Sequence, residues 1–461
     1  MSSLFQDFPK VSTEQWEQAI EKLLKGKNYD DTLVWNTNEG FDIRPYYRKE
    51  DLPNTAYCNI HRTNNQWEIR ENILVKDCSA ANKEALNALM KGATSVSFDI
   101  QAETEINFIE LVKDIDSEYA PVYIYIEHID LDLAAQFKDW NKNTDGGVFI
   151  DPIGDTLSGR ASISPDDNLD QLAVFIATGG KLSIKANHLK DASANFNQDL
   201  GYTLSILVEC IEASNMDVNE LLSNTEITFG ISSNYFFEIA KLKSFTYMLK
   251  KLGDAYGKEI ASFPEFSAIS STVNKTLFDP YVNMLRGTKE AMSAAIAGYE
   301  NISILPFDTT YSDNNEFAGR IARNIQLILQ EESFLNNVVD PSSGSYYLEH
   351  LTEQLIERAW ELFLQTEKEG GFLRALEMGS VQSALKGEQD KMMDKVANGS
   401  TVLLGTNIHP NKEEMMGDKI NKSDFKPVLD NQITKTFPPI SKIRWSERLE
   451  TERLANEKMN A

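Results

Sequence analysis

At 461 residues and 52 kDa, with 41% hydrophobic residues, the chain can bury a sizeable core and exceeds a typical single domain, although one (β/α)8 barrel with extensions absorbs most of it. A net charge of −25 argues against nucleic acid and anionic membranes as partners, because both reward positive surface. Cys58, Cys78 and Cys210 are widely spaced with no Cys-x-x-Cys pair, so they are read as buried thiols and neither a disulfide framework nor a metal site is expected.

The start of the chain has no basic flank or apolar stretch of signal length, and no run of about eighteen apolar residues follows, which points to the cytoplasm. Residues 1–81 read as an N-terminal arm. A cap at Val11-Ser-Thr-Glu14 leads into the helical stripe Trp16, Ile20, Leu23 and Leu24, which ends at Gly26. The text then turns irregular through Trp35-Asn-Thr-Asn-Glu-Gly-Phe-Asp-Ile-Arg-Pro-Tyr-Tyr47.

From residue 82 to 398 the pattern is regular. Residues 82–91 predict a helix stopped at Gly92, and β-prone runs recur at 95–100, 122–127, 147–151, 182–186, 227–231, 267–271, 302–307 and 345–348. Eight runs is the barrel number. Amphipathic stretches such as 168–178, 196–213 and 236–252 supply the crossovers that parallel strands require, although a doubly wound sheet fits the same alternation. Within 316–371, Phe317, Ile321, Ile325, Leu327 and Ile328 mark one helix face, Asp340, Pro341 and Gly344 break it, and a second periodic stretch covers 351–366. Residues 399–461 form a polar tail punctuated by Pro410, Pro427, Pro438 and Pro439.

The motifs Arg320-x-Ala-Arg-Asn-x-Gln-Leu-Ile-x-Gln-Glu-Glu-Ser333 and Asp340-Pro-x-x-Gly-Ser-Tyr-Tyr-x-Glu-x-Leu-Thr352 resemble the acyl-CoA-binding barrel of the methylmalonyl-CoA mutase family. That resemblance implies an α/β fold, a (β/α)8 TIM barrel with an extended N-terminal arm and a C-terminal tail. It also implies an arm that wraps a partner subunit, against the alternative that the arm folds on its own barrel. Catalytic members continue into a flavodoxin-like cobalamin-binding domain; here the sequence stops, and Ile440 to Arg448 resembles the tail by which small subunits approach that junction.

The family's radical chemistry needs cobalamin, held through the His of an Asp-x-His-x-x-Gly motif. None of His61, His128, His188, His350 and His409 has Asp two places before it. The family's W-x-I-R-x-Tyr motif stands here as Trp67-Glu-Ile-Arg-Glu-Asn72, so Asn72 replaces the catalytic-site Tyr. The S-I-S-G-Tyr-His motif stands as Ser183-Ile-Lys-Ala-Asn187-His188, with Asn187 for the Tyr, and Ser303 stands where a cobalamin-facing His is expected. No counterpart of the arginine-bearing T-I-Q-N-D-I-L motif is found between Phe149 and Ser164, so the substrate carboxylate lacks its clamp. His188 alone has the position of a general acid at a barrel strand end but is read as vestigial. Arg320 and Arg323, beside Asn324, Glu331 and Glu332, are read as an internal ion-pair lattice rather than a phosphate site.

Strand alternation turns Ser95, Ser97 and Asp99 inward, and with them Tyr123 and Tyr125. Two phenol rings in the bore are expected to obstruct the channel that a pantetheine arm would thread. The resulting expectation is a small subunit, itself inactive, of a heterodimeric methylmalonyl-CoA mutase of propionate metabolism, whose large subunit binds adenosylcobalamin. The alternatives are the substrate barrel of a split acyl-CoA mutase and an independent acyl-CoA binding protein.

Overall fold

The computed structural model describes residues 11–51, 57, 60–100, 104–142, 145–157, 165–313, 315–421 and 439–460. Eight parallel strands close a barrel: β1 (Glu68–Val75), β2 (Ser95–Ile100), β3 (Val122–Ile126), β4 (Gly147–Ile150), β5 (Lys181–Ile184), β6 (Thr225–Ile231), β7 (Glu265–Ser270) and β8 (Asn301–Ser303). Each pairs with its chain neighbours, and β8 pairs with β1 through Asn301↔Glu68 and Ile302↔Ile69, which closes the cylinder. The chain is a (β/α)8 TIM barrel.

Two of the expected elements differ. The run at 345–348 is not a strand but the start of a helix, because its β-prone tyrosines precede Leu348, Leu351, Thr352, Leu355 and Ala359, all buried at helical spacing. The strand missing from the reading is β1, which lies inside the 1–81 segment. Its sequence Glu-Ile-Arg-Glu-Asn-Ile-Leu-Val alternates polar residues into the bore with Ile69, Ile73 and Val75 outward, so it lacks a continuous apolar run.

Outward side chains of the strands, among them Val96, Phe98, Val122, Ile124, Val148, Ile227 and Phe229, form the main core against the helices. Each such side chain contributes about 1.5–3 kcal/mol when fully buried. The helices used below are α1 (Thr13–Leu23), α2 (Cys78–Met90), α3 (Phe196–Ser214), α4 (Tyr235–Ala255), α5 (Val282–Ala297), α6 (Glu316–Glu331), α7 (Tyr346–Lys368), α8 (Ser380–Ala397) and α9 (Glu447–Asn460). Capping follows the sequence: Ser12 and Gln15 form a capping box on α1, and Asp77 accepts from the Ala80 amide to start α2. Cys78 and Cys210 are buried free thiols, whereas Cys58 lies outside the described residues.

Helix α6 is inverted relative to its apolar stripe. Its buried residues are Ala318, Ala322, Arg323, Gln326, Leu329 and Gln330, while Phe317 and Ile328 are about half exposed, at 50% and 48%. The polar residues are drawn inward by unsatisfied groups at the barrel's closing seam. Gln326 accepts from Trp67 Nε1 at 3.2 Å and donates to the Ile302 carbonyl at 3.2 Å, and Gln330 donates to the Trp67 carbonyl at 2.8 Å. Arg323 pairs with Glu71 of β1 at 2.8 Å, not with Glu331 or Glu332, and Arg320 is exposed. Burial of these amides is tolerated because every bond replaces one to water.

The arm divides. Trp35 and Phe41 pack on Phe237 of α4, and Glu39 accepts from the Phe196 amide at the start of α3 (2.9 Å), so residues 35–43 dock on their own barrel. No residue of α1 is buried, and Trp16 rests against Tyr46, with ring centroids 4.7 Å apart.

Candidate functional site at the barrel axis

The inward residues of the eight strands make a polar bore. Arg70 of β1 stands at its centre, its guanidinium 3.3 Å from the centroid of the Tyr123 ring. It forms a close ion pair with Glu226 of β6 and a second with Glu265 of β7 at 3.3 Å, and it donates to Tyr125 Oη at 3.1 Å. The Tyr125 hydroxyl donates to Glu226 at 2.5 Å, and the Tyr123 hydroxyl donates to Glu265 at 2.7 Å. Ser267 and Asn301 complete the ring by donating to Glu226 and Glu265 respectively. Phe149 of β4 fills the remaining side, its ring 5.7 Å from that of Tyr123 and 5.4 Å from that of Tyr125.

The electrostatics follow from removing these groups from water. Burial alone would lower the Arg70 guanidinium, but Glu226 and both tyrosines outweigh it and hold it well above its usual value. Burial, then Glu265, pushes the Tyr123 hydroxyl well up, and burial, then Glu226, does the same to Tyr125. Glu68, at the base of the bore, is raised to about 7 by burial, with Arg70 opposing. Glu265 is also raised, by burial first and by Glu226 next. The bore thus holds a charge-paired network of one arginine, two neutral phenols and several carboxylates, chemically suited to holding strands together.

At the C-terminal mouth, Asn72 Oδ1 accepts from Ser97 at 2.6 Å and from Ser303 at 3.3 Å, so Asn72 and Ser303 meet in one hydrogen-bonded cluster. Lys185 lies 4.8 Å over the Tyr125 ring and pairs with Asp99 at 3.5 Å. Asn187 and His188 belong to a separate short helix, Asn187–Asp191, after β5; His188 is buried there. Of the region where the arginine-bearing motif was sought, residues 158–164 lie outside the described residues.

The sequence reading missed Arg70, Glu226 and Glu265. Arg70 stands in the Trp67–Asn72 motif two places before Asn72, on the same inward face of β1. Glu226 carries a usable signal: in Thr-Glu-Ile-Thr-Phe-Gly-Ile the outward positions are Ile227, Phe229 and Ile231, which leaves the glutamate facing the axis.

A family model described as methylmalonyl-CoA mutase matches residues 176–451. The chain is 37% identical to the methylmalonyl-CoA mutase small subunit of Porphyromonas gingivalis, over 99% of this chain and 78% of that one. It is 28% identical to the methylmalonyl-CoA mutase of Cereibacter sphaeroides, over 90% of this chain and 66% of that one. It is 26% identical to the methylmalonyl-CoA mutase small subunit of Streptomyces virginiae, over 88% and 72% respectively. With its closed eight-stranded barrel and its seam motif on α6, the chain belongs to the methylmalonyl-CoA mutase family.

Proposed function

We propose that this chain is the small, non-catalytic subunit of a heterodimeric methylmalonyl-CoA mutase, in a complex that isomerises methylmalonyl-CoA and succinyl-CoA. The observation that carries the proposal is the bore: Arg70, Tyr123 and Tyr125, tied to Glu226 and Glu265, occupy the axis along which an extended acyl-CoA arm would have to run. A threading ligand would have to displace buried ion pairs, a cost that its own apolar contacts do not offset. In this reading Asn72, Asn187 and Ser303 are substituted family site positions and His188 is vestigial.

The residues at the mouth do not fit adenosylcobalamin. Asn72, Ser97 and Ser303 are committed to one another, and Lys185 with Asp99 stands over the tyrosine plug, so the donors there are already engaged. The coenzyme belongs to the large subunit in this proposal, and no step is assigned to it here. A partner is supported by the relatives named as small subunits and by the outward apolar stripe of α6. The organisation is then an arm, a barrel and a tail, in a cytoplasmic heterodimer.

The test is to titrate the purified chain with CoA thioesters and to measure mutase turnover of the large subunit with and without it. Absence of binding at micromolar ligand, with turnover that depends on the large subunit's own site, is expected. Acyl-thioester rearrangement by this chain supplied only with the coenzyme and a cobalamin-carrying module would refute it. So would micromolar binding of CoA thioester by the isolated chain.

A further inference from the structure

The C-terminal face of the barrel, where strands end and active sites of this architecture sit, is crossed by the chain's own tail. The Ile440 amide donates to the Leu157 carbonyl after β4 at 3.0 Å, the Ile443 amide to the Asp191 carbonyl after β5 at 3.0 Å, and the Trp445 amide to the Val273 carbonyl after β7 at 2.8 Å. Side chains reinforce the same crossing. Trp445 Nε1 donates to Ser193 Oγ at 2.9 Å, Lys442 pairs with Asp191 at 3.5 Å, and Ser446 donates to the Lys275 carbonyl at 3.4 Å. Beyond it, Glu450, 2% exposed, accepts from the Leu277 amide at 2.7 Å and pairs with Arg444, and Glu457 accepts from the Met416 and Gly417 amides.

These attachments are mostly polar: hydrogen bonds and ion pairs to loops, to the short helix Asn187–Asp191 and to α8, where Gln389 donates to the Ser441 carbonyl and Arg448 pairs with Asp394, together with a small apolar cluster of Leu277, Phe278 and Met416, with Leu454 of α9 against it, that is separate from the main core. Among the described residues of the tail, only Ile440 enters the main core. A segment held by peripheral polar contacts and a satellite cluster opens at lower free energy than the strands beneath it, and it opens as a unit because its anchors are linked in series along one backbone.

We propose that residues 439–457 form a strap that closes part of the C-terminal face of the barrel and releases as one cooperative unit, without unfolding of the barrel. Closed, it ties together the loops after β4, β5 and β7; open, it exposes Asp191, Ser193 and the 273–277 segment to whatever approaches this face. The inference stands on the tail contacts alone and does not depend on whether the bore admits a ligand.

Hydrogen–deuterium exchange on the full chain tests it, resolved at the amides of Leu277, Ile443 and Trp445. The three are expected to exchange at one common rate, at least about tenfold faster than the amides of β3. Glu450→Gln weakens one anchor and is expected to speed all three by the same factor, while β3 protection stays unchanged and reports that the barrel is folded. Trp445→Phe, which removes only the bond to Ser193, should do the same to a smaller degree. Strap amides that exchange only at the rate of β3 would overturn the proposal. So would an acceleration confined to Leu277 in Glu450→Gln.

Discussion

Replacing Arg70 by Ala removes the one cation that Glu226 and Glu265 share. The arginine and glutamate side chains are 3% and 0% exposed, and that of Glu265 is 22% exposed, so neither carboxylate gains much water in exchange. Removing one partner of a buried pair costs about 3–5 kcal/mol, because a charge is left uncompensated. With an unfolding entropy of about 2 cal/mol/K per residue, a chain of this length responds by about 1 K per kcal/mol, so Tm should fall by about 3–5 °C. The loss is also pH-dependent. Glu265 is already raised by burial and by Glu226, with Arg70 opposing, so without Arg70 it rises further. A folded-state value above the unfolded one means a contribution to stability that is complete at low pH and lost as pH rises through the folded value. The deficit of Arg70→Ala against wild type should therefore be largest near pH 8 and shrink toward pH 5, read by urea unfolding across that range. The pair variant Arg70→Met with Glu226→Gln should recover only part of the deficit at pH 8, since the Glu226 charge leaves with the arginine while Glu265 still loses its cation. A deficit under about 1 kcal/mol at pH 8, or one that does not change with pH, would refute the account of the bore as a charge-paired network.

Glu39, buried and raised to about 7 by desolvation against the pull of Lys190, should behave with the same sign. Relative to Glu39→Gln, wild type loses up to about 3 kcal/mol between pH 4.5 and 7 and little beyond, measurable by the same unfolding series. Gly146 has φ +83°, and an added Cβ would lie 2.3 Å from the Val122 carbonyl oxygen, so Gly146→Ala should cost at least about 2 kcal/mol in denaturant unfolding. The Cys210 thiol is raised well above its usual value by burial, with Asp151 adding to it, so it should resist alkylation at pH 8 until denaturant is added, as read by peptide mass mapping. Phe317→Ser with Ile328→Ser should lower Tm only slightly but weaken association with the proposed large subunit by about tenfold or more in a titration, because both side chains are half exposed in the isolated chain.

The sequence by itself determined the element periods and the motif order, since apolar positions every second residue on strands and the caps at Ser12 and Asp77 depend on near neighbours alone; the periods left a doubly wound sheet open, and the pairing of β8 with β1 decides for the closed barrel. What only the tertiary structure decided were the features that require residues distant in the chain to meet. β1 has no continuous apolar run and is stabilised by pairing with β2 and with β8, more than two hundred residues away, so local propensity understated it. The tyrosines at 345–348 pointed the other way, toward a strand, until the buried face of α7 claimed them. α6 buries its glutamines and an arginine more deeply than its isoleucines, because unsatisfied polar groups at the β1–β8 seam outweigh a stripe that its own chain covers only in part. The partners of Arg70 were invisible for the same reason: alternation says that a side chain faces the axis, but only closure of the barrel says which charge stands opposite.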